Sequence, residues 1–513
     1  MKYAALNRTH ADVDLDAIGR ARDLFEGGER FRKAVATYLP QHDVEPPQVY
    51  KRRCAGAYYL NYCARVVNFF ASALMACPPT LKSEPEAVDA WWEEFREDAD
   101  GRGTDLVMLA RDFLVRALVA QRAYLRVDFP AAGELPAGAT VADADRSGAR
   151  AARLVAVPTE QVTHWLRRPD GSFAWVLEHE RREELLDLDD EAATITETWT
   201  QWYADGSARR WQIAYSAKSK PTSSTDVPEV EAPANPCGAI PLVELSLKPE
   251  LCVLTHVADA AVEHFRKSNA LSWAIDRTCY AMPWFFLKSA KKPPTMGTGF
   301  YGILGVDEKI EWPTPPSAPF EVIRTNVADL VQEIHRVAEQ MALAVDNNAA
   351  AAVGRSGESK AADHEATETV LRAYGQALRD PLERALDLVA RGRGETIDWD
   401  VSGMDVYDLA DAKTLTEMAL ATEPLQIPSV THRREVFKAV SRAQLPHLDE
   451  LTRQQIEREI NAGVNPEDTA RKTERDSSIP PPGGRDSSMP PGPSKADDTP
   501  KIPKTPRVPR HVK

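Results

Sequence analysis

The sequence is poor in cysteine, and its cysteines form no pattern. The six are scattered across 513 residues, and no CxxC pair occurs among them. Such spacing is typical of reduced intracellular thiols and argues against both a disulfide framework and a zinc site. The six residues are Cys54, Cys63, Cys77, Cys237, Cys252 and Cys279.

An excess of positive charge is also missing. The chain carries 63 Lys and Arg against 77 Asp and Glu, which gives a formal net charge of −14. A protein that grips nucleic acid through its phosphates usually has a basic excess, so the composition argues against tight DNA binding. It leaves open a surface over which DNA passes without being held.

Long apolar runs are absent as well. A membrane-spanning helix needs about 18 or more consecutive apolar residues. The longest candidate here, Val66 to Cys77, is shorter and is interrupted by Asn68 and Ser72. Residues 1–14 are polar, so we expect no signal peptide. We therefore expect a soluble protein that is made in the cytoplasm and has no membrane partner.

Motifs for catalysis and cofactor binding are weak or missing. The chain has no GxxxxGK[ST] sequence, so we do not expect it to be the ATPase of a motor. Gly297 to Gly302 matches GxGxxG, but Lys291-Lys292-Pro293-Pro294 precedes it instead of a strand, which favours a turn. His179-Glu180 lacks the second histidine of HExxH. We expect no catalytic residues, no metal and no cofactor.

Hydrophobic periodicity predicts an α+β chain that is mainly helical. Helices are predicted over Asp14–Leu39, Tyr58–Met75 and Thr104–Ala120, and a strand over Ala123–Phe129. Between about 150 and 245, β-branched and aromatic runs flank Asp-Gly turns, which predicts two hairpins and a further strand. The hairpins pair 162–168 with 173–179 and 194–203 with 208–215, and the further strand covers 239–245.

Long amphipathic helices dominate Cys252 to Gly392. Two flank a Pro- and Gly-rich segment, and a third, Lys360–Arg391, follows an Ala/Gly/Ser loop and should be kinked at Asp380-Pro381. The second, Asn326–Val345, has its apolar residues three and four apart in one narrow stripe. This favours packing beside another helix, in a bundle or a ring of subunits. The stripe comprises Val327, Leu330, Val331, Ile334, Val337, Ala338, Met341 and Val345.

Candidate binding residues lie between these helices. Predicted short strands, Trp284–Leu287 and Lys309–Trp312, flank a basic cluster that either contacts DNA or an acidic partner, or is a solvated turn. The small residues of the Ala/Gly/Ser loop permit large backbone excursions. The loop therefore either moves, lines an internal surface, or simply connects two helices. The cluster is Lys288, Lys291 and Lys292, and the polar candidates in and beside the loop are Asn347, Asn348, Arg355, Ser356 and Lys360.

The tail from Pro466 has too few large apolar residues to fold alone. Five basic residues near its end are spaced three apart, in phase with prolines, so a polyproline II helix would align them on one edge. We leave open whether this edge binds nucleic acid or an acidic partner, or is only solvated. The five are Lys501, Lys504, Arg507, Arg510 and Lys513.

In the order of these segments the chain resembles the portal (head-to-tail connector) proteins of tailed bacteriophages. The resemblance covers roughly residues 15 to 460, and the order helix, small segment, helix, loop, helix carries much of it. The matching motifs are Tyr38-Leu39-Pro40, Tyr50 to Arg53, Ala57, Tyr59, Asn61, Arg65, the apolar helix up to Pro78-Pro79, and Gly238 to Leu245.

The resemblance implies a ring-forming subunit of portal-like architecture. Residues 1–249 would form the wing, which is β-rich over 150–245. Residues 250–281 and 324–345 would be stem helices, with a small β-containing clip, 282–323, between them. A tunnel loop, 346–359, would precede a long helix, 360–392. Residues 393–464 would be C-terminal wing and crown helices, and 465–513 a disordered Pro-rich tail. The Ala-rich loop and the long tail depart from the family pattern.

The resemblance also implies a non-enzymatic function. A homo-oligomeric ring, usually of twelve subunits, would occupy one capsid vertex of the virion after assembly in the host cytoplasm. Double-stranded DNA would pass the tunnel loop without sequence specificity, and the lysines of the clip would dock the terminase large subunit. Further partners would be the major capsid and scaffolding proteins and a head-tail adaptor. The alternatives are another structural phage-particle component, such as a minor head or injection protein, and a nucleotide-dependent enzyme.

Overall fold

The computed structural model describes residues 1–84, 90–130, 140–146, 148, 150–184, 193–279, 284–286, 309–311, 317–345, 357–404, 430–445 and 450–462. The chain divides into two compact units, Met1–Leu409 and Ala410–Lys513. The described elements combine helices with antiparallel sheets, which confirms the predicted α+β class.

The N-terminal part of the first unit is helical, as predicted. Gly27, at a φ of 61°, ends one helix and begins the next. The helix predicted from Thr104 begins at Leu106, because the side chain of Asp105 caps it by accepting a hydrogen bond from Met108 N. The helices are α1 Tyr3–Leu6, α2 Leu15–Glu26, α3 Gly28–Lys33, α4 Val35–Tyr38, α5 Pro47–Ala55, α6 Tyr62–Leu74, α7 Ala90–Glu97, α8 Leu106–Ala120 and α9 Val141–Arg146.

Two antiparallel sheets form the β-rich part, and both predicted hairpins are confirmed. Gly171 and Gly206 have φ values of 85° and 84°, which explains the glycine in each Asp-Gly turn. One sheet has the order β3-β2-β9 and the other β4-β5-β6-β7-β8. The strands are β2 Arg122–Asp128, β3 Arg153–Val157, β4 Val162–Arg167, β5 Phe173–Glu184, β6 Thr194–Tyr203, β7 Ala208–Ser216, β8 Glu229–Val230 and β9 Leu242–Ser246.

The three predicted long helices are present with shifted ends. They are α10 Val253–Cys279, α11 Ala318–Val345 and α12 Gly357–Arg393. Residues 318–323 therefore belong to α11 and not to the predicted clip, because Pro319 is tolerated in a first helical turn. Residues 357–359 likewise belong to α12 and not to the predicted tunnel loop. Pro381 lies within α12.

One strand pairing was not predicted. β1 Thr80–Glu84 pairs antiparallel with β12 Asp398–Ser402. The interpretation of 393–464 as helices alone is therefore wrong at its beginning. The pairing returns the chain after α12 to the N-terminal helices, and Arg379 on α12 forms an ion pair with Asp400 at 2.7 Å.

The main core lies where α6, α8, α10 and α12 meet the β2–β9 sheet. Phe113, Leu114 and Leu118 of α8 are almost fully buried there. Tyr374 of α12 is also buried, and its hydroxyl donates to the Leu251 carbonyl at 2.9 Å. This bond fixes α12 against the segment that leads into α10. Within the second unit, α13 Val430–Gln444 and α14 Glu450–Ala462 contact each other.

Candidate functional site: the α10–α11 hairpin

Helices α10 and α11 pack against each other as two arms of a hairpin. They are joined through 280–317, where β10 Trp284–Phe286 pairs antiparallel with β11 Lys309–Glu311. This confirms the two predicted short strands. The ring of Tyr62 lies edge-on to His264 of α10 and His335 of α11, with centroids 5.1 and 6.3 Å apart. His264 and His335 therefore lie at the same height along the two arms of the hairpin.

Close to that level the hairpin is anchored in the core. Ile334 of α11 is fully buried, and with the partly buried Val337 it joins the predicted apolar stripe to the core. On α10, the buried Asn269 side chain accepts from Tyr58 N at 3.0 Å and donates to Tyr58 O at 3.0 Å. Both arms are thus held to the residues around the start of α6.

Beyond Asn269 on α10 and before Ile334 on α11, the arms are poorly covered. α10 runs on for 10 residues from Asn269 to Cys279, about 15 Å of helix. We call residues 270–276 and 318–333 the distal half of the hairpin. None of these side chains is buried, although many are large and apolar. Ile275 is 43 % exposed and Val322 is 69 % exposed.

The polar face of α11 carries little net charge. Residues 318–345 contain four acidic side chains and two arginines, a formal charge of −2. Glu321 pairs with Arg324 at 3.0 Å, and Glu333 pairs with Arg336. These pairs lie within one helix, so neither arginine is presented as an isolated cation. Such a face offers few contacts that would hold a phosphate.

The predicted binding residues fall almost wholly outside the described residues. This applies to the lysines at 288, 291 and 292 and to residues 347, 348, 355 and 356. Lys360 lies in α12, and its side chain is not among those described. Their grouping therefore stays a prediction.

A second cluster, which sequence reasoning missed, lies in the five-stranded sheet. The buried Glu197 accepts a hydrogen bond from the Tyr215 hydroxyl at 2.6 Å and lies 3.6 Å from His179 Nε2. Burial alone would raise the pKa of Glu197, but its interactions with His179, Tyr215 and Tyr3 outweigh burial and lower it to about 2. His179 stacks on Trp199 at 4.7 Å and lies within strand β5.

Other classes of site are not seen among the described residues. No group of three or more His, Cys, Asp or Glu side chains there is placed to hold a metal ion. None of the helices described is both long and apolar enough to cross a membrane. Cys54, Cys63, Cys77, Cys237 and Cys252 are free thiols.

Comparison with known proteins gives no family. No protein-family model and no curated protein matches the chain. It is similar to a solved structure from the virion of a native gene transfer agent (GTA) particle, at 14 % identity and TM-score 0.38, covering 88 % of this chain and 95 % of that one. A second, from the neck of an empty GTA particle computed with C6 symmetry, has 13 % identity, TM-score 0.39 and coverages of 79 % and 98 %. A third, from the neck of a native GTA particle computed with C12 symmetry, has 12 % identity and TM-score 0.36, and it covers 88 % of this chain and 96 % of that one. Identities and TM-scores this low do not establish a shared fold.

Proposed function

We propose that this chain is a non-enzymatic portal subunit of a phage-like particle. Copies of it form a ring, of twelve in the assembled capsid, through which double-stranded DNA is packaged and ejected. The ring also docks a separate terminase motor and the head-tail connector proteins. The arms of the hairpin are its stem, and 280–317 is its clip.

The observation that carries this proposal is the distal half of the hairpin. The two helices pack against each other, but in the distal half no side chain is buried and Ile275 and Val322 are exposed, so the hairpin lacks part of its packing as a single subunit. Neighbouring copies supply that packing when head-to-tail contacts close into a ring. The stem leaves the body of the subunit just beyond the buried Asn269 on α10 and Ile334 on α11.

The charge of the chain supports a conduit more than a DNA-binding protein. A wall that bound phosphates tightly would stall translocation, so an acidic subunit with paired arginines suits a channel. The formal charge of −14 is repeated in every copy of the ring. The runner-up, another structural component of the particle, needs no closed ring.

Negative-stain electron microscopy of the purified protein separates these two functions. Rings with a central hole are expected for a portal subunit. Elongated monomers or fibres would favour the runner-up. An ATP-binding assay tests the enzyme alternative, which would require saturable binding that Gly299→Ala abolishes.

A further inference from the structure

A buried histidine, His264 of α10, lies where the hairpin meets α6. It is 3 % exposed, and the ring of Tyr62, at the start of α6, lies edge-on to it with centroids 5.1 Å apart. The same ring lies edge-on to His335 of α11 at 6.3 Å. One ring of α6 is therefore placed against a histidine from each arm, and the proposed function gives this contact no role.

The polar surroundings of His264 suit a neutral imidazole. Ser268 Oγ lies 3.4 Å from both of its ring nitrogens. A hydroxyl can donate to the unprotonated nitrogen of a neutral ring, whereas an imidazolium has two N–H groups and both need acceptors. Among the residues that the structure describes, no carboxylate forms an ion pair with His264. A proton added to this ring would lack a partner.

Positive charge already lies beside the contact. The Arg65 guanidinium is 5.5 Å from the centre of the Tyr62 ring, so a charged His264 would meet a like charge at the same ring. His335 is exposed and can take up a proton at less cost, which would add to that charge. α6 itself, Tyr62–Leu74, contains no acidic residue that could offset it.

The described acidic side chains on the adjoining turns of α10 and α11 are already paired with cations. Each of them would have to give up its present partner to reach His264. The pairs are Asp259 with Arg20 of α2, Glu263 with Lys267, and Glu333 with Arg336.

Burial lowers the pKa of His264 below its ordinary value of 6.5, and no other cause contributes. A histidine freed from this site would take up a proton near its ordinary pKa, while the buried one resists protonation to lower pH. The buried arrangement is therefore fully stable above about pH 6.5 and loses stability as the pH falls below that value.

We propose that His264 is a proton-sensitive anchor of the hairpin. In its neutral form it packs α10 on Tyr62, and its protonation releases the base of both arms from α6. This goes beyond the proposed function and does not depend on the ring, because every contact involved lies within one subunit. Release would open the backbone amides on both sides of the contact, in residues 59–67 and 262–272.

Hydrogen exchange of the full-length protein, read by mass spectrometry at pH 7.5 and pH 5.5, measures this release. The rates are corrected for the intrinsic pH dependence of exchange and are taken where they follow the opening equilibrium. Opening of 59–67 and 262–272 should increase by up to about tenfold at the lower pH, which is the limit for one histidine with an ordinary pKa near 6.5.

His264→Gln and His264→Leu cannot take up the proton, so both should abolish the increase. The quantity compared is the ratio between the two pH values within each variant, so a general loss of stability does not hide the result. His335→Gln is the matched control, because His335 lies beside the same ring but is exposed, and it should keep the wild-type ratio. An increase that persists in both His264 variants, or that disappears in His335→Gln, or that is absent from the wild type, would overturn the anchor and leave the ring unaffected.

Discussion

Replacing Val322 with aspartate should prevent ring assembly and leave the subunit folded. Val322 lies in the distal half of the hairpin and is 69 % exposed in the single chain. Because its side chain has little packing to lose within the subunit, the free energy of unfolding should change by no more than about 0.5 kcal/mol.

The expected loss on assembly follows from the same exposure. Full burial of a valine side chain is worth about 1.5–3 kcal/mol, so the part of Val322 still exposed can contribute about 1–2 kcal/mol when a neighbour covers it. Aspartate removes this gain and adds the cost of a carboxylate at an apolar contact. Since about 1.4 kcal/mol is a factor of ten, and every interface of the ring carries the change, assembly should weaken by far more than tenfold.

Sedimentation velocity over a range of concentrations measures the assembly, and urea unfolding of the dissociated subunit measures the folding. Val44→Asp is the matched control, because Val44 is 94 % exposed and lies outside the hairpin. It should assemble as wild type does. Rings of normal stability in Val322→Asp would refute the reasoning, because they would mean that no neighbour covers this residue. A loss of subunit stability as large as the loss of assembly would also refute it, because Val322 would then be packed within its own subunit.

Other changes separate the anchored and the exposed parts of the chain. Ile334→Ala should cost about 2–5 kcal/mol of subunit stability in urea unfolding, against about 0.5–1.5 for Ile334→Val, because Ile334 is fully buried; equal costs would contradict its anchoring role. The lowered pKa of Glu197 gives stability that is present above about pH 4.5 and is lost as the pH falls toward 2, up to about 3 kcal/mol. Wild type should therefore lose stability with acid more steeply than Glu197→Gln, and parallel curves would refute this. Shortening 346–356 should spare the rings and impair DNA retention, whereas loss of rings would make that segment a structural crossover.

Local chemistry made much of the fold predictable. The Asp-Gly turns at Gly171 and Gly206 need a positive φ that glycine adopts freely, so the hairpins were visible in the sequence. The three-and-four spacing on α11 likewise indicated a helix packed beside another. The start of α11 was predicted too late in the sequence because proline usually indicates a helix break, although the first turn of a helix accepts it.

Long-range pairing was not predictable in the same way. β1 and β12 lie more than 300 residues apart in the sequence, and Thr80–Glu84 has no strong apolar alternation that would predict a strand. The site residues show the same limit. Glu197 is an ordinary charged residue in the sequence, and only the folded chain gives it a buried hydrogen-bond network.

A direct count of subunits in particles of the purified wild-type protein by electron microscopy tests the central claim. The account predicts closed rings with a central hole, in which the α10–α11 hairpins of adjacent copies lie side by side around the channel. Monomers or open fibres at every concentration would contradict it, as would rings in which the hairpins do not touch.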